Sequence, residues 1–143
     1  MGAMSTLPTS PAFRDFWTER RLCTVTTLRP DGTPHVVPMG VVLDLEADEA
    51  WAITSGRSFK ARNLRATDRA GSADPSASGA PIAVCQVDGR SWSTVEGRAV
   101  VLADAASVSE AERRYAARYK TPRENPERVA IRIAITRVLG NVR

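Results

Sequence analysis

The residues best suited to chemistry lie together in Ile53-Thr54-Ser55-Gly56-Arg57-Ser58-Phe59-Lys60-Ala61-Arg62-Asn63-Leu64. Hydroxyls, a glycine and three cations gather there at the point where a strand pattern gives way to a helix. The free N–H groups of a helix N-terminus, together with its dipole, favour a phosphate at such a place. The same residue types also suit a capped surface helix with solvated cations, and the residues alone leave both readings open. The spacing matches neither a Walker loop nor a dinucleotide-binding Gly-x-Gly-x-x-Gly. Lys60 stands out because the chain contains one other lysine, Lys120.

The remaining reactive residue types are sparse. His35 is the sole histidine, which excludes a multi-histidine metal site and leaves one residue on which a Ser-His-Asp triad would have to be built. There is no Gly-x-Ser-x-Gly nucleophile elbow. His35 follows a Thr-Pro turn and reads as a partly exposed strand residue before it reads as a proton-transfer group, so no catalytic side chain is assigned. Trp92, within Arg90-Ser91-Trp92-Ser93-Thr94, offers a ring for a planar ligand but by itself reads first as a core or interface tryptophan. Cys23 and Cys85 lie in β-type runs without metal-ligand spacing. They read as buried free thiols, which fits the expectation of a reducing, cytoplasmic setting.

A net charge of +4 suits an anionic partner without choosing between nucleic acid, a lipid surface and a phosphorylated small molecule. Arg113, Arg114, Arg118, Lys120 and Arg123 are interleaved with Glu110, Glu112, Glu124 and Glu127, the pattern of a solvated helix face. Few aromatics are available for base stacking, and no apolar run approaches the roughly 20 residues of a membrane span. The expected partner is therefore a small molecule, with neither nucleic acid nor membrane.

These residues must be positioned by a single domain, given a length of 143 residues. In Met1-Gly2-Ala3-Met4-Ser5 the second methionine suggests an expression scar before a native start at Met4, and residues 1–9 are expected to be disordered. Ser10-Pro11 opens a short helix with Phe13, Phe16 and Trp17 on one face. Strands are expected over Leu22–Leu28 and His35–Leu43, joined at Arg29-Pro30-Asp31-Gly32, with Pro38 marking an edge or a bulge. A strand over Ala50–Thr54 leads into a helix over Phe59–Ala66. Thr67–Pro81 is too small and polar to bury a core and reads as a flexible loop. Asp88-Gly89 joins strands over Ile82–Val87 and Ser91–Ala103. Ser107-Val108-Ser109-Glu110 matches a capping box, opening a helix with its arginines outward that ends before Pro122. Val129–Thr136 alternates cleanly as the last strand. The fold class is mainly β with peripheral helices, a six-stranded antiparallel barrel.

Taken in chain order, Val25–Pro38, Lys60–Leu64 and Val87–Ala99 resemble the pyridoxamine 5′-phosphate oxidase-like split β-barrel proteins. Arg114–Pro126 is most similar to their flavin/deazaflavin oxidoreductases of group B. The resemblance implies a homodimer with cofactor sites between the subunits and hydride transfer from coenzyme F420 to a conjugated or heteroaromatic small molecule. FMN is the alternative cofactor, and a non-catalytic carrier of F420 or a tetrapyrrole is the alternative role. By position, Thr54, Ser55, Arg57, Ser58, Lys60 and Arg62 would hold the cofactor phosphate, with Asn63 supporting the turn. The backbone of Val37, Pro38, Met39 and Gly40 would flank the ring, and Trp92 would lie near the second subunit's contribution. The chain lacks the Trp- and Arg-containing C-terminal stretch of true pyridoxamine phosphate oxidases, so that activity is not expected.

Overall fold

A computed structural model of the chain describes residues 6–69 and 78–143. The element order is α1 (Pro11–Thr18), β1 (Cys23–Leu28), β2 (Pro34–Met39), β3 (Val42–Asp44), β4 (Glu49–Ser55), α2 (Phe59–Thr67), β5 (Ala80–Asp88), β6 (Ser91–Leu102), α3 (Ala105–Arg118) and β7 (Arg128–Gly140). All strand pairings are antiparallel, in one sheet of order β2-β1-β5-β6-β7-β4-β3. β2 and β3 are the two edges of this sheet, yet Gly40 and Val41 alone separate them in sequence. A sheet whose opposite edges are joined by two residues must curl until those edges meet, which makes it a barrel with a split between β2 and β3.

The split explains why seven strands stand where six were expected. The expected strand over His35–Leu43 is broken at Gly40-Val41, into β2 and β3. At Val41 the backbone bonds to side chains: its N–H donates to the Tyr119 hydroxyl at 3.1 Å, and its carbonyl accepts from Arg118. With those groups taken, the chain leaves β1 and crosses to pair with β4. Pro38 lies on the outermost strand, where its missing N–H breaks no ladder.

The core fills the barrel interior with Val25, Val84, Val95, Ile131 and Ile133, and α1 closes one end through Phe13, Phe16 and Trp17, all buried. Ser10 caps α1 through Phe13 N–H at 3.2 Å. The folded chain begins earlier than Ser10, because Leu7 is buried in the core and Thr6 N–H reaches Asp48 at 2.8 Å. The expectation of disorder through residue 9 is corrected to that extent. Residues 1–5 and the centre of the expected flexible loop 67–81 lie outside the described residues.

A bulge between Glu96 and Gly97 bends β6 against β7. A Cβ at Gly97 would lie 2.1 Å from the Ala134 carbonyl oxygen, so this approach requires glycine. α3 starts one turn before the expected capping box: Asp104 is the N-cap, accepting from Ser107 N–H at 3.0 Å. Glu110 turns to Arg113 and Arg114 instead of back to the helix start. The thiols differ in setting: Cys23 is buried, whereas Cys85 is half-buried on the outer face, a correction to the expectation that both are buried.

Candidate functional site

β4 ends in Thr54-Ser55, and the chain turns through Gly56-Arg57-Ser58 into α2. The turn is held from several sides. Gly56 N–H donates to the Glu127 carbonyl at 2.8 Å, and its own carbonyl accepts from Arg65 at 2.7 Å. Thr54 Oγ1 bonds Ser58 Oγ at 3.0 Å, and Ser58 Oγ caps α2 through Ala61 N–H at 3.1 Å. Asn63 is buried and donates from Nδ2 to Thr27 Oγ1 at 3.1 Å, anchoring α2 on β1. Asn63 thus supports the turn from the core side. The first N–H groups of any helix lack intrahelical partners, and those of Phe59 and Lys60 belong to this open end.

Lys60 is half-buried and forms no ion pair among the described residues, and burial holds its ammonium below the ordinary lysine pKa. An unanswered, partly desolvated cation at a helix N-terminus fits the phosphate of an anionic cofactor. Nearby, Phe59 is exposed and its ring lies 6.0 Å from that of His35 on β2. The buried Nδ1 of His35 has no hydrogen-bond partner among the described residues. That leaves a hydrogen-bonding position open beside the exposed Phe59 ring.

A cavity of about 590 Å³ straddles the split. It is lined by Met39 and Gly40 from the β2 side, Ile53, Thr54 and Ser55 from β4, and Tyr115, Lys120, Arg123, Asn125 and Arg128 from α3 and the segment after it. Of the expected site residues, the structure brings Met39, Gly40, Thr54 and Ser55 into this one space. Ser58 and Lys60 sit at the adjoining helix start. Val37 shares the inner side of β2 with Met39, while Pro38 is exposed on the outer side. Arg57 is exposed and pairs with Glu127 at 3.0 Å, and Arg62 is exposed with its guanidinium 5.6 Å from the Phe59 ring centre. Trp92 lies elsewhere: it opens β6 on the outer face of the sheet, opposite Val87.

Sequence reasoning missed the residues that build the split. Arg118 was expected outward and is instead 8% exposed. It donates to the carbonyls of Val41 and Glu19 and to Gln86 Oε1, the last at 2.6 Å, and no carboxylate is among these partners. Tyr119 donates to the Arg21 carbonyl at 2.6 Å and stacks on Tyr115 at 5.0 Å. Burial raises the Tyr119 phenol to about 12, which keeps it a neutral donor at any ordinary pH. Burial likewise raises the Cys23 thiol, against the opposing pull of Arg118. The apolar stripe through Tyr115 and Tyr119 was the signal that this helix end packs inward.

Comparison with known proteins places this geometry. The chain is 47% identical over 126 residues to F420H(2)-dependent biliverdin reductase of Mycobacterium tuberculosis, spanning 88% of this chain and 83% of that protein. Among solved structures it resembles one described as an F420 reductase, with a TM-score of 0.65 and 20% identity over 92% of this chain and 98% of that one. It also resembles a conserved hypothetical protein of Mycobacterium tuberculosis, with a TM-score of 0.70 and 24% identity over 98% and 89% of the two chains. At these identities the two structures speak for the fold. The sequence profile described as pyridoxamine 5′-phosphate oxidase matches residues 9–141, and with nearly the whole chain covered, this protein belongs to that family.

Proposed function

We propose that the protein is an F420-dependent oxidoreductase that reduces a conjugated small molecule, such as a linear tetrapyrrole, at the split of its barrel. The observation that carries this reading is Lys60, half-buried and without an ion pair among the described residues at the start of α2, next to the strand end whose Thr54 and Ser55 line a cavity with Met39 and Gly40. The similarity to a reductase named for F420 and biliverdin supports both the cofactor and the substrate class.

When bound, a reduced deazaflavin supplies a hydride and reacts slowly with oxygen. The chain's own part is binding and placement. Lys60, Ser58 and the helix end would take the phosphate, with Thr54 and Ser55 at its side. Gly40 and Val41, fixed by Tyr119 and Arg118, set the wall against which a planar ring lies. The exposed mouth at Lys120 and Arg123 admits the solvent that provides a proton, so no dedicated acid is needed.

The active form is proposed as a homodimer. Val36, Val87, Trp92 and Leu139 are 57%, 65%, 40% and 36% exposed. Strand alternation puts all four on the outer face of the sheet, across β2, β5, β6 and β7. Leu22, also exposed, carries this apolar face to the rim of the cavity. Several large apolar side chains exposed on one face of a sheet suit an interface. A second copy seated there would bring its own Trp92 toward the split, which supports a site shared between subunits. The free thiols of Cys23 and Cys85 support a reducing, cytoplasmic setting.

The test is turnover. Protein is mixed with chemically reduced F420 and biliverdin, and the return of oxidised F420 absorbance is followed. Reoxidation that scales with protein concentration supports the reductase. Tight binding of F420 without reoxidation, across a panel of conjugated acceptors, replaces it with a carrier.

A further inference from the structure

The cavity at the split carries cations without matching acids. Lys120, Arg123 and Arg128 line it, and no Asp or Glu does. Arg128 is answered by Glu112 at 2.6 Å. The other cations of this region are answered too: Arg113 by Glu110, Arg114 by Asp44 at 3.0 Å and Glu110 at 2.8 Å, and Arg57 by Glu127 at 3.0 Å. Among the described residues, Lys120 and Arg123 have neither an ion pair nor a hydrogen bond, and Glu124, next to Arg123 in the chain, does not line the cavity.

Local structure fixes the backbone on either side of these two exposed cations. Lys120 follows directly on Tyr119, the C-cap of α3, which is tied to Arg21 and Val41. The segment beyond is closed by Asn125, which accepts Glu127 N–H on Oδ1 at 2.9 Å and Arg128 N–H on its carbonyl at 3.1 Å. Leu22, Met39, Ile53 and Tyr115 give the cavity apolar and aromatic walls. Apolar walls with a cationic mouth select a flat, apolar molecule bearing carboxylates at its edge.

We propose that Lys120 and Arg123 form the carboxylate-recognition site of the substrate. The conjugated body lies against Met39, Ile53 and Tyr115, and its carboxylates meet the two cations at the mouth. The proposal rests on the reductase reading above and names the substrate class of that same site: conjugated carboxylic acids, in preference to their neutral esters. The cofactor phosphate is addressed chiefly by Ser58 and Lys60, at the adjoining helix start and outside this cavity lining, while Gly40, Thr54 and Ser55 border both, so substrate and cofactor ring lie side by side in one space. The other source of a carboxylate is the glutamate tail of F420 itself, and the experiment separates the two.

The experiment uses the cofactor-free protein and follows quenching of its tryptophan fluorescence by biliverdin and, in parallel, by biliverdin dimethyl ester. The expected result is tighter binding of the diacid, weakening with added salt as charge recognition requires. Lys120→Ala combined with Arg123→Ala should lower diacid affinity on the order of tenfold and leave ester and F420 affinities unchanged. Equal affinity of wild type for diacid and ester, or equal loss of both in the variant, overturns the proposal. Loss of F420 affinity, with binding of the tail-less deazaflavin retained, assigns the pair to the cofactor tail and also overturns it. Wild-type F420 binding reports on the reductase reading alone, so a protein that prefers the diacid yet does not bind F420 contradicts that reading instead.

Discussion

A Cβ placed on Gly40 would lie 2.8 Å from Cε2 of Tyr119, so the kink between the two edges of the sheet is moulded on the ring of a residue at the end of α3. Gly40→Ala should therefore displace the stacked pair of Tyr115 and Tyr119. We expect a loss of about 1–3 kcal/mol of stability, read from urea unfolding, and weaker binding of a planar ligand at the split. An alanine variant of unchanged stability would mean that the rings yield freely.

Arg118 makes a sharper contrast with its neighbour. Arg118→Met should strip donors from the carbonyls of Val41 and Glu19 and from Gln86, which in turn donates to the Phe16 carbonyl. A cost of about 3 kcal/mol follows from leaving several buried acceptors unsatisfied. Arg113→Met, on the exposed face, should leave the denaturation midpoint nearly unchanged. Equal denaturation midpoints for the two variants would refute the buried role.

Trp92→Glu sets a charge on the outer apolar face proposed as the dimer interface. If the proposed homodimer forms through this face, the variant should run as a monomer in light scattering on a sizing column at a concentration where wild type runs as a dimer, because an unpaired charge buried at an interface is costly. A variant that dimerises as tightly as wild type would remove this face from the assembly.

Lys60 gives the binding site a pH signature. A bound anion favours the charged ammonium, so affinity holds below the pKa of Lys60 and falls as pH rises through it. Because burial lowers that pKa, the fall should begin at a lower pH than for an exposed lysine. In the ligand-free protein the sign is opposite. The fold disfavours the charged form, so the unfolded chain holds more protons between the two pKa values, and stability rises with pH there. Lys60→Arg should keep F420 affinity flat across the alkaline range in which wild type loses it.

Much of the fold was legible in the residues because local chemistry decided it. Gly32 and Gly89 adopt φ of +87° and +60° at the expected hairpin turns, and the alternation of Ile131, Ile133 and Ile135 matches their burial. The break at Gly40-Val41 was not legible, because Val37, Met39, Val41 and Leu43 keep their alternation straight across it. What breaks the strand is the Tyr119 hydroxyl, 78 positions from Val41. The capping box was misplaced because Ser107 and Glu110 satisfy its pattern, while Asp104, one turn earlier, is of an equally good capping type and is the residue that caps the helix. Arg118 was read outward because an arginine among glutamates usually is, and only the carbonyls gathered around it by α1, β3 and β5 reverse that. The phosphate cradle was legible as a cluster of residue types. Its neighbouring cavity was not, since Lys120 and Arg123 reach β4 through the fold alone.

The most direct test of the central claim is equilibrium titration of the protein with F420 and, separately, FMN, followed by fluorescence anisotropy, for wild type and Lys60→Ala. The account predicts saturable binding with F420 the tighter ligand, and a loss on the order of tenfold or more in the variant, with its unfolding midpoint not lowered. Tighter binding of FMN, or F420 affinity indifferent to Lys60, would contradict it.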